Sequence, residues 1–84
     1  MVALVGDIDL ADVAELRSLL HEVAGEAQRV VVDMTETTFI DSTVMAALLL
    51  VQRDGCTVVL RGARGEPRRA LDIAGVLEVV DLED

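Results

Sequence analysis

The residues best suited to chemistry form one short segment, Phe39-Ile40-Asp41-Ser42-Thr43, which runs directly into an apolar stretch with helical character. An Asp or Ser at such a position commonly accepts hydrogen bonds from the free N–H groups of the first helical turn, so one interpretation is simply a helix cap. The other interpretation is functional, because a phosphate on Ser42 would be tolerated at the positive end of a helix. It would add about −1.5 to −2 charges to whatever surface a partner meets there.

The stretch after Ser42 is apolar on every side of the predicted helix, with an uninterrupted run over residues 44–51. Such a helix is either covered all round or leaves part of its surface for a partner. Met45 and Leu49 lie four residues apart and therefore share one face beside Ser42. If that face is open, the two side chains are apolar anchors for a partner that a phosphate on Ser42 would repel.

Strands and helices alternate along the chain, and this order decides where Ser42 lies. Strands separated by single helices cannot be hairpin partners, so the sheet should be mostly parallel with right-handed crossovers. The predicted class is therefore α/β, one small domain with a mostly parallel four-stranded sheet and three helices in the order β-α-β-α-β-α-β. Ser42 then follows the carboxyl end of a strand, where open α/β sheets carry functional groups. The predicted strands are residues 2–5, 29–33, 56–60 and 77–82, and the predicted helices are 10–24, 42–53 and 66–74, with a connecting loop at 35–41.

The length and the charge of the chain disfavour an enzyme, a nucleic-acid-binding protein and a protein that binds anionic membranes. The 84 residues suffice for one domain but leave little room for a deep cavity beside the core, which disfavours an enzyme. Sixteen acids against seven bases give a net charge of −9, which disfavours nucleic acid and anionic membrane surfaces and favours a basic partner protein. Residues 1–42 hold nine of the acids and two of the bases, so the acidity is concentrated in the half that ends at Ser42. The longest apolar run is far shorter than the roughly 20 residues of a membrane-spanning helix.

Other candidate sites are weaker. Cys56 is expected to be a core residue, and with one cysteine and no signal-peptide pattern we expect a reducing, cytoplasmic setting. One His, one Cys and scattered acids lack ligand spacing, so we expect neither a metal nor a cofactor. A catalytic triad of Ser42, His21 and a carboxylate would require the first helix to reach the serine. The arginines around residues 62–65 form a basic patch without an aromatic residue for base stacking, which is typical of a turn that offsets acidic neighbours.

Five segments of the chain, in order, carry a family resemblance: Val5-Gly6-Asp7-Ile8-Asp9-Leu10, Val30-Val31-Val32-Asp33, Phe39-Ile40-Asp41-Ser42-Thr43, Gly55 before a strand, and Ala74-Gly75-Val76 after a helix. Together they resemble the STAS domains, the anti-sigma factor antagonist modules that also occur as tails of anion transporters. The resemblance covers nearly the whole chain. Its most specific part is the pair of motifs G-[DE]-[IL]-D and D-S-[ST].

The resemblance implies a phosphorylation switch at Ser42. In that family the matching serine is phosphorylated by a partner anti-sigma factor that is also an ATP-dependent serine kinase. The unphosphorylated antagonist binds the anti-sigma factor and releases the sigma factor, so it regulates transcription indirectly and works by binding, without catalysis. By the same resemblance Asp41 orders the loop, Thr43 is the secondary phosphoacceptor and Met45 contacts the kinase. With Leu49, which shares a helix face with Met45, the expected partner-binding residues are Asp41, Thr43, Met45 and Leu49.

Three departures from the family pattern keep an alternative open. Val44 stands where the family usually has Gly, the usual first strand is lacking, and no final helix follows the last predicted strand. We therefore expect residues 1–84 to form a reduced STAS-like domain, whose exposed sheet edge is available for a homodimer. The alternative function is a non-phosphorylated adaptor subunit of a transporter ATPase or of a larger signalling assembly.

Overall fold

A parallel sheet whose strands are linked through helices organises the chain. The computed structural model describes residues 1–8 and 13–83. In chain order the elements are β1 (Val2–Ala3), β2 (Gly6–Ile8), α1 (Val13–Ala24), β3 (Arg29–Asp33), β4 (Thr37–Ile40), α2 (Ser42–Arg53), β5 (Thr57–Arg61), α3 (Gly65–Ile73) and β6 (Asp81–Glu83). The main sheet has the order β1-β3-β5-β6, and β2 and β4 form a separate two-stranded ladder.

All strand pairs in the described part of the chain are parallel. Parallel neighbours require crossover connections, and α1, α2 and α3 each lie in one of the connections between strands of the main sheet. The predicted α/β class, the mostly parallel four-stranded sheet and the three helices are confirmed. The ladder of β2 and β4 is not among the predicted elements.

Two of the strand predictions and the loop prediction are wrong in part. The predicted strand 2–5 is shorter and ends at Ala3, and a second strand starts at Gly6, where a φ of +77° redirects the backbone towards β4. The segment 35–41, a loop by prediction, contains β4, because its backbone pairs with β2. In the predicted strand 77–82, a 3₁₀ turn over Val76–Glu78 comes first, so that Val76 and Val80 both reach the core before β6 begins.

The predictions for the helices and the inner strands agree closely with the structure. α2 covers the predicted residues 42–53 and β3 the predicted residues 29–33, whereas α3 and β5 are displaced from their predicted ranges by one residue. α1 ends at Ala24 as predicted, and the predicted start of this helix at residues 10–12 lies outside the described residues.

The core lies where α1 and α2 pack together and against the inner strands. The fully buried side chains include Leu20 from α1, Leu48 from α2, Val32 from β3 and Leu60 from β5. Cys56 is 3% exposed and belongs to this cluster, which confirms its predicted role as a core residue. Burial raises the pKa of its thiol, so Cys56 is a poor nucleophile.

The connection after β5 approaches the connection after β3 closely at Gly62, which has a φ of +72°. A Cβ at Gly62 would meet the Thr35 side chain, whose hydroxyl donates a hydrogen bond to Asp33 Oδ1 at 2.6 Å. We expect Gly62→Ala to lower the free energy of unfolding by about 3 kcal/mol, from backbone strain and the steric overlap together. Gly55→Ala is the matched control, because Gly55 also has a positive φ but has open space around it, and should cost about 1 to 2 kcal/mol. If urea denaturation shows that both variants lose the same free energy of unfolding, the contact with Thr35 does not contribute to the effect of Gly62→Ala.

Candidate functional site

Ser42 is the first residue of α2, and its side chain is exposed. The residue before it, Asp41, has an extended backbone, and its Oδ1 accepts a hydrogen bond from the Val44 N–H at 3.1 Å. Asp41 is therefore the N-cap of α2, as the structural interpretation of the motif predicts. Because Asp41 provides the cap, the Ser42 side chain is left at the surface in the first helical turn.

The apolar helix α2 is covered on one side and partly open on the other. Its buried side chains are Val44, Ala47, Leu48 and Val51. On the opposite side lie Ser42, Met45, Ala46 and Leu49, whose spacing of three, four and seven residues places them along one face. Met45 and Leu49 are half-buried and pack against the rim of the core, so they offer a partner part of their apolar surface.

The two hydroxyls of the motif differ in accessibility. Ser42 is exposed, whereas Thr43 is half-buried. A kinase has to enclose the acceptor hydroxyl and place it in line with the γ-phosphate, so the exposed hydroxyl is the better acceptor. The order predicted from the sequence, with Ser42 ahead of Thr43, is consistent with this difference.

The ladder of β2 and β4 places the two family motifs side by side. Gly6–Ile8 carries most of the first motif, and its last residue Ile8 pairs with Ile40, the residue before Asp41. Asp9, the final residue of that motif, lies outside the described residues. Near the start of β4, the buried Thr37 donates a hydrogen bond from its Oγ1 to the Leu4 carbonyl at 2.5 Å, which ties β4 to the chain before β2. The first motif therefore supports the strand that delivers Asp41 and Ser42 to the surface.

His21 takes part in an ion-pair cluster at the far end of α2. Its Nε2 lies 2.7 Å from Asp54 Oδ2, and Arg17 donates to both oxygens of the same carboxylate. Asp54 follows the last residue of α2, about 18 Å from Ser42 along a helix of this length. The triad of Ser42 and His21 considered above therefore does not form. Sequence reasoning missed this cluster, since the only local signal is the four-residue spacing of Arg17 and His21.

The cluster of Arg17, His21 and Asp54 makes the stability of the domain depend on pH in the acidic range. Hydrogen bonds from Arg17 and His21 lower the pKa of Asp54 to about 2. A carboxyl whose pKa is lower in the folded state stabilises the fold above its unfolded pKa, and this contribution is lost as the pH falls through the folded pKa. We expect Asp54→Asn to lower the melting temperature near neutral pH, with a gap to the wild type that closes between about pH 4 and pH 2. Asp81→Asn, at an exposed carboxylate in β6, is the control. If both variants differ from the wild type by the same melting temperature, the Asp54 cluster is not the source of the pH dependence.

A row of charged side chains crosses the carboxyl edge of the main sheet. Asp33, Arg61 and Glu83 end β3, β5 and β6 in matching register. Arg61 pairs with Glu83 at 2.7 Å, and hydrogen bonds from Thr35 lower the pKa of Asp33. Because Arg61 is paired with Glu83 within the sheet, the predicted basic patch is reduced to Arg64, the N-cap of α3, and to Arg68 and Arg69 of α3.

The described residues form neither a metal-binding cluster nor a helix that could cross a membrane. No group of three His, Cys, Asp or Glu side chains within residues 1–8 and 13–83 is arranged to hold a metal ion. None of the helices in the part of the chain that the structure describes has the length and apolar character to cross a membrane.

Comparison with known families assigns the chain. A family model described as "Mlab, STAS domain" matches residues 1–81. The chain therefore belongs to the STAS domain family, and the resemblance read from its motifs is confirmed at that level. A search of curated proteins found no match. Membership of this family makes the protein a regulatory or binding module.

Proposed function

We propose that this protein is a cytoplasmic anti-sigma factor antagonist, which binds a partner anti-sigma factor and thereby regulates transcription indirectly. Its partner is also the serine kinase that phosphorylates Ser42, and phosphorylation ends the binding. The proposal rests on the exposure of Ser42 at the start of α2, on the same face as Met45 and Leu49. The module acts by binding, without a catalytic group, a metal or a cofactor of its own.

The physical basis of the switch is local. The N-terminus of α2 tolerates a phosphate on Ser42, so the domain itself keeps its fold. A partner that covers Met45 and Leu49 must also remove water from that phosphate, which is costly for a dianion without a paired cation. Because residues 1–42 are already strongly acidic, one phosphate changes the overall field little. The loss of binding is therefore assigned to this dehydration at the contact.

Substitutions at Ser42 test the switch. Ser42→Asp should weaken binding of the purified anti-sigma factor by at least about tenfold, whereas Ser42→Ala should keep it. Ser18→Asp places the same charge at an exposed serine of α1 and is the matched control, with affinity unchanged. Isothermal titration calorimetry measures all three variants. Equal affinities for Ser42→Ala and Ser42→Asp would rule out the electrostatic switch.

A second candidate function is the adaptor subunit of a transporter ATPase or a larger signalling assembly. One observation favours it: Val44 fills the position of the family's usual Gly with a fully buried side chain. An adaptor of this kind would co-purify with its assembly whether or not Ser42 is phosphorylated. Co-purification that survives Ser42→Asp would therefore favour the adaptor over the switch.

A further inference from the structure

Two apolar side chains of α1 stay outside the core. Leu19 is 45% exposed and Val23 is 39% exposed, and neither belongs to the core cluster or to the partly buried residues that pack against it. They lie four residues apart, so they form part of one ridge along the helix. Ridges of this spacing are the rows of side chains against which a second helix packs. α1 therefore presents an uncovered apolar ridge of the kind that receives a helix.

The charged residues beside this ridge are acidic. Glu15 and Glu22 lie four and three residues from Leu19 on the outer side of α1, and both are exposed. Glu26 is exposed as well, four residues after Glu22 in the 3₁₀ turn that continues α1. We call the surface formed by these three glutamates and the two apolar side chains the α1 stripe.

The bases of α1 lie on the other side of the helix. Arg17 and His21 are about 160° around the helix axis from the apolar ridge. Both bind the Asp54 carboxylate, so their positive charge is directed at the end of α2. The next base along the chain, Arg29, forms no ion pair with a glutamate of the α1 stripe in the part of the chain that the structure describes. The α1 stripe is therefore both apolar and acidic, so its charge selects a basic occupant.

We propose that the α1 stripe binds an amphipathic, basic helix of a protein partner. An apolar side chain of that helix packs between Leu19 and Val23, and its lysines or arginines pair with Glu22 and Glu26. This inference goes beyond the proposed function, because the α1 stripe is separate from the Ser42 face: the bases of α1 contact the C-terminal end of α2, about 18 Å along that helix from Ser42. A second copy of this chain is disfavoured as the occupant, because it would bring glutamates against glutamates.

Three synthetic helical peptides of about 15 residues test the two requirements of the α1 stripe. The first carries leucines at helical spacing together with lysines. The second has glutamates in place of the lysines, and the third has alanines in place of the leucines. In an NMR titration of the ¹⁵N-labelled full chain, the first peptide should shift the amide signals of α1 saturably, and the other two should bind at least about tenfold more weakly. Equal binding of the first peptide and either of the others would overturn the proposal, as would shifts centred on α2 or α3.

Two charge variants separate a site on α1 from general attraction to an acidic protein. Glu22→Lys should weaken binding of the first peptide about tenfold. Asp72→Lys changes the net charge by the same amount at an exposed position of α3, and should bind like the wild type. Equal weakening by both variants would show that net charge alone attracts the peptide, and would overturn the proposal.

Leu19→Ser tests the apolar contact and should weaken binding of the first peptide about tenfold. The matched control is Ile73→Ser, which removes an exposed apolar side chain from α3 and should bind like the wild type. Urea denaturation checks that each variant is folded. Wild-type affinity for Leu19→Ser would overturn the proposal, as would sedimentation showing a dimer that Leu19→Ser dissociates.

The proposal for the α1 stripe and the Ser42 switch can fail separately, since neither the peptides nor these variants involve phosphate. If the proposal for the α1 stripe fails, the peptides do not bind to α1, while kinase-dependent phosphorylation of Ser42 is unaffected. If instead the switch fails, Ser42 stays unmodified while the first peptide still binds. The two outcomes are therefore distinguishable.

Discussion

Ser42→Ala should abolish ATP-dependent phosphorylation by the cognate kinase, whereas Thr43→Ala should leave it intact. Ser42 is exposed in the first turn of α2, and the half-buried Thr43 is the poorer acceptor. Removing the acceptor hydroxyl removes the reaction completely, so this is the largest effect expected of any single substitution. Intact mass spectrometry measures the gain of one phosphate, and tandem spectra place it on a residue.

Each variant controls for the other, because both remove one hydroxyl from neighbouring positions of the same helical turn. If the Ser42→Ala protein is still phosphorylated, the phosphoacceptor is Thr43 or another residue. Loss of phosphorylation in Thr43→Ala but not in Ser42→Ala would place the phosphoacceptor hydroxyl on Thr43. Circular dichroism of both variants shows whether α2 is retained.

Val44→Gly should be the most destabilising change at the site, although it restores the residue that the family usually has there. Val44 has no exposed surface, and its side chain lies among the buried residues of α2. Removing it costs about 2 kcal/mol for lost burial and the resulting cavity, and glycine inside a helix costs about 1 kcal/mol more. The total of about 3 kcal/mol is a large part of the 4 to 13 kcal/mol typical of a domain of about this length.

Two further substitutions separate these contributions. Val44→Ala should lose only the burial, about 2 kcal/mol, and Ala46→Gly, at a half-buried position of the same helix, should lose about 1 kcal/mol. Urea denaturation gives the free energy of unfolding for each variant. If Val44→Gly unfolds no more easily than Ala46→Gly, the Val44 side chain does not fill the core.

Local signals explain why much of the fold could be predicted from the sequence. α2 has a capping Asp41 before it and the turn residues Asp54 and Gly55 after it, so both of its ends agree with the structure. β3 is a continuous valine run, and its β-branched residues favour a strand, although only Val30 and Val32 are fully buried and Val31 between them is partly exposed. β4 could not be predicted in this way, because Thr37–Ile40 lacks alternation and is held by its pairing with β2.

The same distinction applies to the site. Ser42, Met45 and Leu49 lie within one helix, so their spacing alone places them on a common face. By contrast, Asp54 meets Arg17 and His21 across more than 30 residues of chain, and Phe39 of β4 lines a surface groove together with Ile73 of α3. Such contacts depend on how the helices pack, which local patterns of residues do not encode.

The central claim is that phosphate on Ser42 controls the binding of a partner protein. Its most direct test is calorimetric titration of the purified anti-sigma factor with two forms of this chain, one unmodified and one carrying phosphate only on Ser42. We predict that the unmodified form binds and that the phosphorylated form binds at least about tenfold more weakly. Equal affinity of the two forms would contradict the account and would favour an adaptor that binds regardless of Ser42.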